Sequence, residues 1–193
     1  MPDYSQSDTS NFPVLETERL LLREWDVADA EDLFAIYSNE DVVRYTPITA
    51  YTTLEQAVTK AANFRDWFRV KQASVVWAVV LKDTGKIIGE CSLHSLSPEN
   101  QRAEVGYAYS PEVWGKGIAS ESIQKIIDYA FTDFSLFPIN RLEAYTDPRN
   151  TASAKLLENI GFAKEGHLRQ RHIEKGEVVD SVVYAILGSE YEK

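Results

Sequence analysis

The sequence predicts an α/β fold with a mixed, mostly antiparallel central sheet of about seven strands, flanked by about four helices. Two observations carry this prediction. Segments 74–81 and 86–93 are rich in β-branched residues and flank the turn Asp83-Thr84-Gly85, which is typical of an antiparallel hairpin. Segment 102–146 alternates strand, helix and strand, so its two strands run parallel if they are neighbours, with a right-handed crossover. A sheet that contains both kinds of pairing is mixed.

Before the hairpin, the pattern predicts one strand and two helices. In order, these are a strand within 15–25, a helix at 27–38, a connector at 42–47 and a helix at 53–70. Asp26 is placed to cap the first helix. Thr53 and Gln56 form a capping box at the start of the second. Pro47 disfavours helical backbone at the residue before it.

After the hairpin, strands and helices alternate. The predicted elements are a strand at 102–109, a helix at 117–133, a strand at 141–146, a helix that opens after Asn150 and stops at Gly161, and strands at 162–168 and 178–187. The element order is therefore β-α-α-β-β-β-α-β-α-β-β. It places the end of strand 102–109, where ligands bind in such sheets, directly before a helix.

Composition indicates a single soluble domain. A chain of 193 residues with 44% hydrophobic and 26% charged residues suits one domain with a substantial core. The single cysteine, Cys91, excludes an internal disulfide framework, and its apolar neighbours predict a buried, inert thiol. Residues 1–11 are predicted to form a disordered tail ahead of one domain at 12–193. With no long apolar span and no signal-peptide layout, we expect a cytoplasmic protein that does not enter a membrane.

The charge balance bears on possible partners. Thirty acidic and twenty basic residues give a formal net charge of −10. This excludes nucleic acid as a partner held by a phosphate-neutralising surface. It suits cationic, amine-bearing partners, and it serves solubility equally well.

The stretch Trp114-Gly115-Lys116-Gly117-Ile118-Ala119 joins the predicted strand to the helix that follows it. Glycines permit close backbone approach, and the free N–H groups of a first helical turn bind anions, so a phosphate or pyrophosphate is the natural guest. The order Lys-Gly-Ile does not match a P-loop. A dinucleotide fingerprint needs a third glycine where Ser120 stands.

The same stretch resembles the Q/R-x-x-G-x-G/A pyrophosphate loop of the Gcn5-related N-acetyltransferases (GNAT), with Trp114 in the Gln/Arg position. Segment 150–162 is similar to the N-x-x-S/A-x-x-L-x-x-x-G-F block that follows one strand later in that family. Further segments resemble the RimJ/RimL-like branch of ribosomal-protein N-acetyltransferases: Leu15-Glu-Thr-Glu-Arg, Ala103-Glu-Val-Gly-Tyr and Glu165-Gly-His-Leu-Arg-Gln. The resemblance covers about residues 14–188.

The resemblance implies an acyl-CoA N-acyltransferase fold that uses acetyl-CoA, without a metal, to acetylate a primary amine directly. The implied acceptor is a protein N-terminal α-amine or a small amine. Two strands, after Arg102 and before Thr146, would separate to hold pantetheine. The residues implied in cofactor binding are Tyr107, Ala108 and Tyr109 through their main chain, Asn150, and the backbone amides of Gly115, Lys116, Gly117, Ile118, Ala119 and Ser120.

Acetylating an amine requires a base for the ammonium, donors for the oxyanion, and benefits from a proton for the departing thiolate. The family often carries a catalytic Glu on this strand, which makes Glu104 the implied base. Glu90 is a rival, and a surface carboxylate is the plain alternative. In the ribosomal-protein branch a Ser is the proposed acid, and Ser153 matches it. The alternatives are that Ser153 only contacts the cofactor, or that solvent protonates the thiolate.

The sequence leaves alternatives for the activity, for the roles of single residues and for the oligomeric state. Many family members use a Tyr at the position of Leu157, and its absence leaves a non-catalytic acyl-CoA-binding or regulatory module as the alternative to an enzyme. The three histidines lack metal-ligand spacing. Trp114 is expected to pack, and Asp180 to face the acceptor site or pair with an arginine. A homodimer is an alternative to the monomer.

Overall fold

The computed structural model describes residues 11–191. Its centre is one eight-stranded sheet in the order β1-β2-β3-β4-β5-β6-β8-β7, in which every pair is antiparallel except β5 with β6. The strands are β1 (Leu15–Glu16), β2 (Leu20–Glu24), β3 (Val75–Leu81), β4 (Ile87–Ser97), β5 (Arg102–Tyr109), β6 (Arg141–Thr146), β7 (Ala163–Glu174) and β8 (Glu177–Leu187). The predicted mixed, mostly antiparallel sheet is confirmed.

Five α-helices flank the sheet: α1 (Ala30–Tyr37), α2 (Glu40–Val43), α3 (Leu54–Arg69), α4 (Ile118–Thr132) and α5 (Thr151–Asn159). The predicted capping box is present, because the Thr53 side chain accepts from the Gln56 backbone and the Gln56 side chain accepts from the Thr53 N–H. Asp26 caps a 3₁₀ turn that leads into α1. Gly161, at φ +99°, stops α5 as predicted.

Each face of the sheet is covered by a different pair of helices. On one face, the apolar stripe of α4 (Ile123, Ile126, Ile127) and Leu157 of α5 join the larger core. On the other face, α1 and α3 pack with strands β3 and β4 in a second core that includes Leu33. We call these the α4–α5 face and the α1–α3 face. Because side chains alternate along a strand, each inner strand supplies both cores.

Strands β4 and β7 are longer than predicted, ending at Ser97 and Glu174 instead of at 93 and 168. Two further segments differ in kind from the prediction. The expected strand at 15–25 is divided into β1 and β2, because the chain turns between them, with the Thr17 N–H donating to the Leu20 carbonyl. The expected connector at 42–47 overlaps the short helix α2, which Asn39 caps through its side chain. These differences add one strand and one helix to the predicted counts. The predicted tail, 1–11, lies outside the described residues except for Asn11.

The parallel pair of strands is joined only at its beginning. β5 pairs with β6 at Arg102, Ala103 and Glu104, opposite 141–143, and the pairing then ends. Beyond that point β5 stays paired with β4 as far as Tyr109, and β6 stays paired with β8 as far as Thr146. This leaves an opening in the middle of the sheet, bordered by residues 105–109 and 144–146. The opening lies where the separation of the two strands was expected.

Candidate active site

Residues 114–119, which we call the glycine loop, form the turn before α4 and the start of that helix. The glycine loop follows the end of β5 and lies next to the opening. Gly115 and Gly117 have φ values of +73° and +74°, a left-handed conformation that side chains other than glycine rarely adopt. Gly117 caps α4, and the Glu121 N–H makes the first helical bond, to the Gly117 carbonyl at 3.0 Å. Helix geometry therefore leaves the preceding N–H groups directed out of the helix. A Cβ at Gly115 would meet nothing within 4 Å. The loop has room and donors for an anion.

Arg19 lies beside this loop, and sequence reasoning gave it no role. Its Nη1 donates to the Lys116 carbonyl at 3.1 Å, and its guanidinium pairs with Glu121 at 2.6 Å. Its Nη2 would lie 3.6 Å from a Cβ at Gly117. Because the guanidinium is paired with Glu121, the ion pair adds no net charge, and the backbone dipoles of the loop are what favours an anion. The only signal was its place in the segment Leu15-Glu-Thr-Glu-Arg.

Trp114 occupies the position where the resembling loop carries Gln or Arg. Its indole N–H donates to the Tyr109 carbonyl at 2.8 Å, and 51% of the residue is exposed. The expected packing role is wrong, because half of the residue is exposed; its contact is a hydrogen bond between the loop and the end of β5. This bond satisfies the last carbonyl of β5.

Two hydroxyl groups meet on the α4–α5 face of the opening. The Tyr107 hydroxyl lies 2.7 Å from Ser153 Oγ, which joins β5 to the first turn of α5. Asn150 Oδ1 accepts the Ser153 N–H at 3.1 Å and so caps α5. Burial raises the pKa of Tyr107 to about 12. Ser153, Tyr107 and Asn150 are therefore brought together, whereas Leu157 is buried in the core.

Glu104 lies on the opposite, α1–α3 face, at the last residue pair before the strands separate. Its carboxylate is 3.8 Å from His94 Nδ1 and is half-buried. The neighbouring Glu143 is held by arginines, at 2.8 Å from Arg102 and 2.7 Å from Arg141. Burial and then the charges of Glu143 and Glu104 raise the pKa of Tyr145. Glu104 is thus the carboxylate at this end of the opening that no arginine holds within 4.0 Å among residues 11–191.

Glu90 lies deeper on the same face, in a cluster with Tyr37, Tyr51, Lys60 and Phe64. It is only 9% exposed, and the Tyr37 hydroxyl donates to its Oε1 at 2.5 Å. The ring of Tyr37 stacks on Tyr51 with centroids 5.4 Å apart. The Lys60 ammonium lies 4.5 Å from the centroid of Tyr37 and 4.7 Å from that of Phe64. Sequence reasoning named Glu90 alone.

Electrostatics in this cluster follow from burial. Burial raises the pKa of Tyr37 well above its ordinary value, and the Glu90 charge adds to the effect, so the phenol remains a donor. Burial lowers the pKa of Lys60, and the Glu90 charge opposes that shift. An ammonium between two rings and near a carboxylate is a favourable cation–π arrangement. The rings and the Glu90 charge therefore offset part of the cost of burying the Lys60 ammonium, while burial still lowers its pKa overall.

Two further residues that the sequence singled out are Asp180 and Cys91. Asp180 accepts from His167 Nε2 and from the Gln170 N–H, both at 2.7 Å, so its expected arginine partner is wrong: the side-chain partner is a histidine. Cys91 is buried, and burial raises its pKa well above the ordinary value. Among residues 11–191, no three His, Cys, Asp or Glu side chains are grouped to hold a metal. Within the same residues, no helix is long and apolar enough to cross a membrane.

Comparison with known proteins identifies the class. The acetyltransferase (GNAT) domain family matches residues 19–163, and the chain belongs to this family of acyltransferases. The uncharacterized N-acetyltransferase p20 of Bacillus licheniformis is 40% identical over 177 residues, 92% of this chain and 97% of that protein. The crystal structure of a GNAT-family acetyltransferase from Bacillus anthracis superposes with a TM-score of 0.81 at 27% identity, covering 92% of this chain and all of the other.

Two further likenesses involve proteins whose names give an acceptor. The spermidine N(1)-acetyltransferase of Vibrio cholerae is 27% identical over 177 residues, 90% of this chain and 95% of that protein. The ribosomal-protein-S5-alanine acetyltransferase of Vibrio fischeri has a TM-score of 0.79 at 24% identity, covering 94% of this chain and all of the other. The second is a likeness of fold alone. The GNAT family is therefore shown, and the RimJ/RimL-like branch stays a prediction.

Proposed function

We propose that the protein transfers the acetyl group of acetyl-CoA directly to a primary amine at the opening between β5 and β6. The observation that carries the proposal is the arrangement around this opening. The glycine loop lies at its mouth, Ser153 lies on one face of the sheet and Glu104 lies on the other. A donor held in the opening would thus be reached from one face by an acid and from the other by a base.

The residues at the opening suit coenzyme A. The backbone amides from Gly115 to Ser120, which include the N-cap and the first turn of α4, would bind the pyrophosphate, with the Arg19 guanidinium beside them; the Lys116 N–H also donates to the Val113 carbonyl at 3.3 Å. The edge of β5 from Tyr107 to Tyr109, which β6 does not pair, would bind pantetheine through its main chain. When bound, acetyl-CoA supplies a thioester carbonyl carbon to the amine. Asn150 would act on the donor through Ser153, because its side chain already caps α5.

Glu104 suits the role of base better than Glu90. One oxygen of Glu90 already accepts the Tyr37 hydroxyl, in a cluster that holds the carboxylate in place. Glu104 is half-buried at the end of the opening, and the His94 ring nitrogen Nδ1 is 3.8 Å away. A carboxylate that must take a proton from an amine requires a free oxygen within reach, directly or through one water. Glu104 meets that requirement.

The acceptor would approach from the α1–α3 face, and the chemistry of that face suits a cationic amine. The rings of Tyr37 and Phe64 already contact one ammonium, that of Lys60, and the charge of Glu90 favours its protonated form, although burial lowers its pKa overall. The net charge of −10 attracts cations at longer range. The likeness to a spermidine acetyltransferase supports a small polyamine as acceptor. A protein N-terminal α-amine, which the resemblance to the RimJ/RimL-like branch implies, is the second acceptor class.

The experiment has two stages. Calorimetry first measures acetyl-CoA binding; no binding at millimolar ligand contradicts the proposal. Thiol release is then followed with a panel that includes linear polyamines, amino acids, an aminoglycoside and peptides with free N-termini. We expect turnover with at least one amine and a preference for polyamines over the matched monoamine. Equal turnover of peptides carrying free and blocked lysines would favour the protein α-amine.

A non-catalytic acyl-CoA-binding module is the alternative, and the buried Leu157 in place of a Tyr motivates it. It predicts acetyl-CoA binding without turnover of any amine in the panel. Turnover that is lost in Glu104→Gln while acetyl-CoA affinity is kept excludes it. We further propose that residues 12–193 act as one domain in the cytoplasm. Analytical sedimentation would show whether the protein is a monomer or a homodimer.

A further inference from the structure

The hydroxyl pair on the α4–α5 face bears on which group protonates the departing thiolate. The position where the resembling family carries a Tyr is Leu157, which is 1% exposed and packs in the core. A tyrosine hydroxyl nevertheless lies at the start of α5, because Tyr107 extends to Ser153 from the strand across the opening. The phenol therefore comes from β5 instead of α5.

We propose that Tyr107 is a positioning residue that orients the Ser153 hydroxyl towards the departing thiolate and replaces the proton that Ser153 gives up. This inference rests on the proposed function, since it assigns a role within acetyl transfer. It differs from the role implied for Tyr107 by family resemblance, which involves the main chain only.

In the proposed transfer, each proton has a named donor and a named acceptor. As the carbon–nitrogen bond forms and the carbon–sulfur bond breaks, the electron pair of the broken bond goes to sulfur. Ser153 Oγ–H donates its proton to that sulfur, and the Tyr107 O–H donates its own to Ser153 Oγ. The ammonium gives one proton to Glu104 before it attacks, and Glu104 passes that proton to water. The second proton, lost from nitrogen as the carbon–nitrogen bond forms, also leaves through Glu104 to water, and the Tyr107 phenolate takes one proton back from water, so that one proton is released overall. No oxidant, metal or further reactant is needed.

A phenol improves on serine alone because an aliphatic hydroxyl is a far weaker acid than a phenol, whose ordinary pKa is about 10. Burial raises the pKa of Tyr107 to about 12, so this phenol holds its proton at neutral pH. The developing negative charge is then shared over two oxygens instead of remaining on Ser153. A 2.7 Å separation is the usual length of such a hydroxyl–hydroxyl bond.

A second tyrosine–serine pair two residues further along β5 shows why the first one is different. Tyr109 lies 2.6 Å from Ser122 Oγ, but the Ser122 hydroxyl also donates to the Ile118 carbonyl at 2.9 Å, so its proton is used inside α4. Ser153 is the third residue of α5, and the carbonyl four residues before it lies outside the helix. Its proton is therefore free to turn towards the opening.

The test in turnover compares Tyr107→Phe, Ser153→Ala and the double variant. We expect each single variant to lower kcat by about 10²-fold while the KM for acetyl-CoA is unchanged. The double variant should be no slower than the slower single one, because residues that act as a unit are not additive. Ser153→Thr keeps the hydroxyl and should recover most of the rate. Losses that multiply in the double variant overturn the proposal.

The matched control is Tyr129→Phe, which removes a buried tyrosine hydroxyl from α4 in the same core, with no contact to Ser153. It should leave kcat unchanged. If it lowers kcat as much as Tyr107→Phe does, loss of a core hydroxyl explains both effects and the proposal fails.

A readout without turnover uses free CoA. Ultraviolet absorbance of the thiolate gives the pH at which the protein-bound thiol ionises, and the hydroxyl pair should stabilise the thiolate. In Tyr107→Phe this ionisation should move to higher pH by about one unit relative to the wild type. An unmoved ionisation overturns the proposal even if no acceptor is found. Failure of the wild type to bind CoA would instead contradict the proposed function, and the inference with it.

Discussion

The two faces of the sheet differ in chemistry at the same opening. The α4–α5 face offers two neutral hydroxyls, those of Tyr107 and Ser153, beside the larger hydrophobic core. The α1–α3 face offers carboxylates: Glu104 at the end of the opening and Glu90 in the aromatic cluster. Neutral hydroxyls can give protons, and carboxylates can take them or hold a cation. Under the proposed function, the group that gives a proton and the group that takes one lie on opposite faces of the gap between β5 and β6.

The division follows from strand geometry. Along β5, Tyr107 packs on the larger core and Ala108 on the second, so neighbouring residues report on opposite faces. Glu104 therefore points away from Tyr107, three residues further on. β5 thus carries Glu104, the candidate base, on one face and Tyr107, the residue proposed to act on Ser153, on the other. The sheet separates them, so neither exchanges a proton directly with the other.

Glu104→Gln is the variant for which we expect the largest effect. If Glu104 is the base, kcat should fall by about 10²–10⁴-fold with the acetyl-CoA affinity unchanged, because the amide cannot take the proton. Steady-state thiol release and calorimetry measure the two quantities. Glu165→Gln is the matched control, since Glu165 is an exposed strand carboxylate that pairs with Arg141 outside the opening, and it should keep kcat. Normal turnover in Glu104→Gln would move the base to Glu90 or to water.

Tyr37→Phe tests how much the buried hydrogen bond from the Tyr37 hydroxyl to Glu90, on the α1–α3 face, contributes to the free energy of unfolding. The substitution leaves Glu90 buried without the Tyr37 hydroxyl, and we expect the free energy of unfolding to fall by about 1–3 kcal/mol. Urea denaturation at pH 7 measures the loss. Tyr51→Phe is the control, because Tyr51 contacts the cluster through ring stacking, which phenylalanine preserves. Equal losses in both variants would contradict a special role for the bond.

The pH dependence of the same variant has a definite sign. The pKa of Tyr37 is raised in the folded protein, by burial first and by Glu90 second, so folding favours its protonated form. This contribution to stability is complete below the unfolded pKa of about 10 and is lost as pH rises above it. Tyr37→Phe should therefore lose less stability than the wild type between about pH 9 and pH 11, as measured by urea denaturation. A parallel decline in both proteins would contradict this assignment.

Gly117→Ala tests the donor end of the opening. At φ +74° an added side chain is strained and disturbs the cap of α4, so we expect acetyl-CoA to bind about tenfold more weakly, about 1.4 kcal/mol. Gly85→Ala is a close control, because Gly85 has φ +70° and open space but lies in the β3–β4 turn. It should cost similar stability and leave the dissociation constant unchanged. Equal affinity of both variants for acetyl-CoA would exclude the loop from donor binding.

The sequence predicts the donor side of the molecule better than the acceptor side. The bounds of β5 and β6 match the prediction because their alternation is local, and Gly117 marks its loop by residue type. The contact between Tyr107 and Ser153 joins residues 46 positions apart and exists only because β5 and α5 meet across the opening. The cluster of Glu90, Tyr37 and Lys60 draws on three separate elements, and no short pattern contains it. Tertiary packing, which single positions do not reveal, creates both contacts.

The smallest expected effect belongs to Trp114→Phe, at the boundary between the two faces. The variant keeps a large ring at a half-exposed corner and removes only the N–H bond to the Tyr109 carbonyl, so the free energy of unfolding should fall by about 0.5–1.5 kcal/mol. Acetyl-CoA affinity, measured by calorimetry, should change by less than about threefold, because the amides of the loop are untouched. Trp114→Gln restores the residue type of the resembling loop and supplies an N–H donor, so it should lose no more affinity than Trp114→Phe. If Trp114→Phe weakened binding as much as Gly117→Ala does, the indole itself would contact the donor, and the corner would belong to the binding site instead of only supporting it.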